Sequence, residues 1–248
     1  MSNSADDRQE FELRKRANAM AMADDEALAK LAVEVFERSD RYDFSYQWSW
    51  LGVPIIQLPN DVLATQELIW EHRPQVIIET GIARGGSVIF YSSLLEIIGE
   101  GRVIAVDIDI RSHNRAVIEA HPMAHRVTMI EGSSTDSSVV DSVRSLLEPG
   151  DRVMVVLDSN HTHDHVLAEL EAYAPLVTPG QFLIVADTVI EEIPPQAHRP
   201  RDWGPGDNPK TAVDAFLALH QDFELDPYVN AKLLMTSSRG GYLRKRTT

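Results

Sequence analysis

Five short apolar runs, each followed by a polar or glycine-rich break and then by residues at helical spacing, constrain this chain more than anything else in it. They are Val76 to Ile78, Arg102 to Val106, Arg126 to Ile130, Val153 to Leu157 and Phe182 to Ala186. Runs this short, rich in β-branched residues and apolar on both faces, fit strands buried in a parallel sheet. Between them Thr135 to Leu147 places Val139, Val140, Val143 and Leu147 on one side, and the segment after Asp158 does the same with Val166, Leu167, Leu170 and Ala174. Strand and helix alternating five times predict an α/β fold: a doubly wound, Rossmann-like sheet, mostly parallel, with helices on both faces. After Phe223 the β-like stretches FELDPY, KLLMT and GGYLRK predict an antiparallel C-terminal hairpin, turning at Ser237 to Gly240.

In such sheets ligands bind where the strands end, so the residues at those ends matter most. They are acidic: Glu79, Asp107, Asp158 and Asp187. The first strand runs into Gly81, Gly85 and Gly86, and Ser87 opens the helix that follows. This turn fails the G-x-G-x-x-G spacing of a dinucleotide site, and Glu79 ahead of it suits a cationic ligand better than a polyphosphate. The pattern E-x-G-x-x-x-G resembles motif I of class I S-adenosylmethionine-dependent methyltransferases. Asp107 lies 22 residues beyond Gly85, where a carboxylate accepts both hydroxyls of an adenosine ribose. That ribose belongs to NAD as much as to S-adenosylmethionine. Ser133, in the Glu131-Gly132-Ser133-Ser134 loop after the third strand, is placed for the adenine.

The composition excludes several classes of function. With 38 acidic residues against 23 basic ones, a net charge of −15 repels nucleic-acid phosphates over most of the surface. There is no cysteine, so disulfides, thiolate metal sites and cysteine nucleophiles are absent. No run approaches the roughly 18 apolar residues of a membrane span, and the first residues lack a signal core, which predicts a cytoplasmic protein. At 248 residues one large α/β domain over 59–248 is expected, preceded by an N-terminal helical and aromatic extension over 1–58. In that extension residues 1–22 read as polar and frayed, and Asp24 to Arg38 as an amphipathic helix. Tyr42, Phe44, Tyr46, Trp48 and Trp50 then recur at period two, which predicts an extended segment with one aromatic face, packed on the domain, on a second copy in a homo-oligomer, or against a flat substrate. Asn60 or Asp61 is expected to cap the next helix.

Asp158 and Asp187 end two strands that should be neighbours. Two carboxylates with a few waters suit Mg²⁺, which acidifies a bound hydroxyl; the same groups could instead cap helices or pair with arginines. His161, three residues after Asp158, is positioned to take the hydroxyl proton. His163 and His165 read as the solvated start of a helix. The Pro- and Gly-rich segment 189–210, with Trp203 in its middle, reads as a lid over the acceptor.

Taken together, WSWLGVPIIQLPND, VIIETGIARGGS and LDSNHTHDHVLAELEAYAPLVTPGQFLIVADT resemble the cephalosporin hydroxylase family, over residues 44–246. Its relatives include rhamnosyl and other sugar O-methyltransferases with the class I methyltransferase fold. The resemblance implies S-adenosylmethionine near Glu79, Gly81 and Asp107, Mg²⁺ on Asp158 and Asp187, a base at His161, and a small hydroxylated acceptor such as a sugar. The chain departs from the Glu-Asp pair common in sugar methyltransferases at the fifth strand's end: Ala186 precedes Asp187, and Thr188 is the remaining oxygen donor there. Two other readings stay open. One is a hydroxylation step on a β-lactam, for which the iron triad of two His and one carboxylate lacks convincing spacing; the other is a binding subunit that keeps the fold without catalysis.

Overall fold

A computed structural model of the chain describes residues 7–247. Two helices, α1 (Arg8–Ala23) and α2 (Glu26–Asp40), lead through a 3-10 turn at Phe44–Tyr46 into a small antiparallel hairpin of β1 (Trp48–Trp50) and β2 (Val53–Ile55). The main domain follows as α3 (Pro59–His72), β3 (Val76–Thr80), α4 (Gly86–Ile98), β4 (Arg102–Asp107), α5 (Ser112–Ala120), β5 (Val127–Glu131), α6 (Ser137–Ser145), β6 (Val153–Leu157), α7 (His163–Tyr173), β7 (Phe182–Val185), α8 (Pro209–Leu219), β8 (Phe223–Leu225), α9 (Pro227–Lys232) and β9 (Tyr242–Lys245). The seven strands β3 to β9 form one sheet in the order β5-β4-β3-β6-β7-β9-β8. All pairings are parallel except those of β9, which runs antiparallel to both β7 and β8.

The period of two along each strand sorts the core into two layers. Ile77, Val103, Ala105, Met154, Val156, Phe182 and Ile184 face a layer shared with Leu68 and Ile69 of α3 and Ile89, Phe90 and Leu95 of α4. Their neighbours Val76, Ile78, Ile104, Val106, Val153, Val155, Leu183 and Val185 face Val143 of α6, Leu170 of α7 and Phe216 of α8. Each fully buried aliphatic side chain here contributes about 1.5–3 kcal/mol. Helix ends obey local chemistry. Asn208 and Thr211 form a capping box at α8, Asp226 accepts from the amides of Tyr228 and Val229 at α9, and Gly99 closes α4 in the left-handed region.

Four local expectations change. Part of the N-terminal region read as frayed is helix α1, which packs on α9, with Arg16 lying 4.3 Å over the Tyr228 ring; residues 1–6 lie outside the described residues. The alternating aromatics do not form one extended face, because Asp43 adopts φ 53° and starts the 3-10 turn. Trp50 alone of the five is joined to the core, edge-on to Phe90 at 4.8 Å with its Nε1 donating to Ser93 Oγ. The FELDPY stretch is a strand only to Leu225, since Pro227 behind the Asp226 cap starts α9, and KLLMT is not a strand either: Lys232 ends α9 and residues 233–236 are irregular, so β8 and β9 pair without being a simple hairpin. Finally, α3 starts at Pro59, and Asp61 is buried in its first turn rather than capping it.

Candidate active site

The strand order reverses at β3, with β4 on one side and β6 on the other, so a crevice opens beyond their carboxyl ends. The glycines make this junction possible. Gly81 sits at φ +93°, and a Cβ there would stand 1.9 Å from the Asp158 carbonyl oxygen; one on Gly86 would meet the Pro54 carbonyl at 2.2 Å. Their smallness first brings the turn against β6 and β2. A cavity of about 220 Å³ lies over the junction, lined by Gly81, Gly86, Ser87, Tyr91, Asp158, His161 and Asp187 among others.

Glu79 stands behind Ser87 and Tyr91 with no exposed surface. Burial holds its carboxyl well above the ordinary range; the Ser87 and Tyr91 hydroxyls pull weakly the other way, and the nearby Asp158 and Asp107 add to the rise. Neither oxygen has a formed hydrogen bond. A buried carboxylate without a partner costs stability, so a cationic group that reaches it is bound strongly.

Asp158 leaves β6 and Asp187 follows β7, the latter at φ 56°, a left-handed conformation that a short Asp tolerates. Both carboxylates close on one imidazole. His161 Nε2 lies 3.3 Å from Asp158 Oδ1 and 3.5 Å from Asp187 Oδ2. Burial alone would lower the His161 pKa, but Asp187 and then Asp158 outweigh it and raise it to about 9. Burial raises the Asp158 carboxyl, an effect opposed by the His161 hydrogen bond and strengthened by Asp187. The Trp203 ring lies 5.3 Å from that of His161, and its buried Nε1 has no partner.

Other candidates from the sequence fall outside this cavity. Asp107 Oδ2 accepts from the amides of Ile82 (2.8 Å) and Ala83 (3.1 Å), so it ties down the glycine-rich turn. Ser133 bonds Thr135, and a Cβ on Gly85 would meet Ile118 rather than open space. Thr188 is buried behind the turn after β7, and its hydroxyl has no partner and does not line the cavity. Among the described residues no group of three or more His, Cys, Asp or Glu is arranged as a metal cage. What converges is the pair Asp158 and Asp187.

Sequence reading missed two parts of the cavity wall. The buried Asp40, at the end of α2, pairs with Arg199 (3.2 Å) and Arg201 (3.7 Å) of the segment after β7, and Tyr46 of the 3-10 turn lies 4.9 Å under Arg199. The N-terminal extension therefore closes one side of the site. Asp61 accepts from the hydroxyls of Thr236, Ser237 and Tyr242 and from the Ser237 amide. No local pattern announces contacts across some 160 to 180 residues.

A seven-stranded sheet in this order, with an antiparallel strand between its last two neighbours and acidic residues at the switch point, defines the class I methyltransferase architecture. The family model for Rhamnosyl O-methyltransferase/CmcI matches residues 42–246, and the chain belongs to that family. It is an O-methyltransferase. The rhamnosyl O-methyltransferase of Mycobacterium tuberculosis is 30% identical over 202 residues, 79% of this chain and 77% of that protein. That of Mycobacterium leprae is 30% identical over 214 residues, 83% of this chain and 87% of its own length. Among solved structures, CmcI without ligand superposes with TM-score 0.59 at 21% identity, covering 83% of this chain and 78% of that one. CmcI with Mg and SAM gives TM-score 0.58 at the same identity and coverage. At that identity the likeness is one of fold. No helix among the described residues is long and apolar enough to cross a membrane.

Proposed function

We propose that the protein methylates a hydroxyl group of a sugar, with His161 as the base and Asp158 and Asp187 as its supports. The observation that carries this reading is the placement of His161 Nε2 between two carboxylates on the wall of a cavity that also reaches the glycine-rich turn. The relatives named as rhamnosyl O-methyltransferases support the sugar. S-adenosylmethionine would lie along Gly81 and Ser87, with Glu79 toward its positive end, and supplies a methyl group on a sulfonium with a thioether as leaving group. Asp107 would act on that ligand through the turn that it fastens, and in part through any lone pair left free for the ribose; Gly85 shapes the same turn, and Ser133 stands for the adenine side.

A Mg²⁺ ion fits the donor chemistry of Asp158 and Asp187, two converging carboxylates; it would supply a Lewis acid for the acceptor hydroxyl and neutralise the charges that hold the His161 proton in place. With its proton gone, His161 Nε2 takes the proton of the acceptor hydroxyl as the oxygen–methyl bond forms and the carbon–sulfur bond breaks. The carboxylates 3.3 and 3.5 Å away hold the imidazole in its orientation toward the acceptor. Trp203 excludes water from the imidazole face. Thr188, buried with its hydroxyl away from the cavity, stays out of the ligand set. The test is His161→Ala assayed on a rhamnoside with labelled S-adenosylmethionine. Methyl transfer is expected to fall by about 10²–10⁴-fold with S-adenosylmethionine affinity retained; near-normal turnover removes His161 from the mechanism.

A further inference from the structure

The cavity is lined by both signs of charge, and the methyl-transfer chemistry does not require the positive one. Asp158 and Asp187 line it, and so do Arg199 and Arg201, both from the segment after β7. Arg199 is fixed. It pairs with Asp40 at 3.2 Å and with Asp43, and its guanidinium lies over the Tyr46 ring. Arg201 is left under-used: among the described residues its side-chain contacts are Gln196 at 3.4 Å and Asp40 at 3.7 Å, and its side chain is 17% exposed. A guanidinium has five donors, so several of those on Arg201 are open to the cavity that it lines.

The two arginines share the local carboxylates unequally. Asp40 is buried and is shared by both arginines and by His198, whose Nε2 lies 3.2 Å away, while Asp43 is largely in solvent. Two carboxylates answer two guanidinium groups, but Arg199 holds both and Arg201 has only its share of Asp40, at 3.7 Å. A second cavity of about 390 Å³, walled by Pro194, Pro195, Pro200 and Trp203, meets the first at Ile190, Arg199 and Arg201. The two arginines therefore stand at the junction between the site of chemistry and an apolar chamber. The third guanidinium among the described lining residues, Arg84, is on the glycine-rich turn, among the residues given to the methyl donor.

We propose that Arg199 and Arg201 form an anion subsite for the acceptor, so that the sugar methylated here bears a carboxylate or a phosphate ester. Arg199, held by Asp40, Asp43 and Tyr46, acts as the positioned wall, and Arg201 supplies the free donors, which match the planar fork of either anion. This rests on the sugar methyltransferase reading above and names its substrate class.

The experiment titrates the S-adenosylhomocysteine complex of the full chain with glucose, glucuronate and glucose 1-phosphate, following Trp fluorescence and calorimetry, in wild type, Arg201→Gln and Arg201→Lys. Wild type is expected to bind at least one anionic sugar about tenfold or more tighter than glucose. Glucuronate ahead of glucose 1-phosphate identifies a carboxylate, and the reverse order a phosphate. Arg201→Gln should erase the preference and Arg201→Lys retain part of it, with S-adenosylhomocysteine affinity unchanged in both. Equal binding of charged and neutral sugars by wild type, or no binding of any, overturns the anion subsite while leaving the methyltransferase assignment intact. Failure of S-adenosylhomocysteine itself to bind would overturn the underlying reading as well.

Discussion

Two carboxylates buried beside the same cavity, Glu79 and Asp61, have opposite surroundings. Glu79 has no exposed surface and neither oxygen has a formed bond; Asp61 is 4% exposed and accepts from three hydroxyls and an amide. Burial raises both carboxyls and hydroxyls oppose it at both, but Asp61 has Thr236, Ser237 and Tyr242, whereas at Glu79 Ser87 and Tyr91 are countered by Asp158 and Asp107 and the carboxyl stays well above its usual range. The difference separates structure from function. Asp61 locks α3 to the segment before β9 and is complete within the chain, whereas the Glu79 oxygens have no formed bond within it and, in the function proposed above, face the positive end of the methyl donor. The pair Asp158 and Asp187 belongs with Glu79: its partner is an imidazole that, in the proposed reaction, must also release a proton.

The strongest way to sharpen this contrast is to disable the open pair. Asp187→Asn should lower methyl transfer by about a hundredfold or more and abolish any recovery of activity on adding Mg²⁺ to chelator-treated enzyme, with little change in the urea midpoint. Activity recovery by Mg²⁺ in that variant would take Asp187 out of the metal pair. The opposite pattern is expected at the closed site. Asp61→Ala strands the donors of Thr236, Ser237 and Tyr242 and should cost about 2–4 kcal/mol in urea unfolding. A loss under about 1 kcal/mol would mean that those donors find other partners.

Glu79→Gln should move affinity and stability in opposite directions. S-adenosylmethionine binding is expected to weaken about tenfold or more, as a cation loses its counter-charge. The folded-state carboxyl is raised above its unfolded value, so its contribution to stability is full below about pH 4.3, the unfolded pKa, and is lost as pH rises through the folded one. The amide removes that loss, and at pH 8 the variant should be more stable by about 1 kcal/mol. A variant less stable at pH 8, like Asp61→Ala, would break the comparison. The smallest effect is a fraction of a proton released on S-adenosylmethionine binding as Glu79 ionises, read by calorimetry in two buffers of different ionisation enthalpy; zero release leaves Glu79 ionised beforehand.

Much of this was legible from local pattern. The five apolar runs appear as β3 to β7, and the acidic residues after them all reach the carboxyl edge, because a buried parallel strand needs a continuous apolar run and its register then fixes where it ends. The Asp-x-x-His spacing brought His161 to Asp158. Helix α9 is also written locally, in Asp226 followed by Pro227, although β-like FELDPY and KLLMT overlap its two ends. Helix α1 was not, since Ala19 is its one buried residue and its place is set by α9, more than 200 residues later.

The sequence by itself determined the class of fold, the glycines where backbones touch, and the acidic character of the site, since each follows from steric and hydrophobic rules acting over a few residues. Only the tertiary structure decided which carboxylates were satisfied. Asp61 reads as a helix cap and Glu79 as an acid facing a cationic ligand, and what makes Asp61 a buried, satisfied carboxylate is a set of donors brought from residues 236–242. The same holds for Asp40 and the arginines 159 and 161 residues beyond it. Hydrogen bonds and ion pairs act over a few ångströms, and which groups come that close is settled by the packing of the whole sheet.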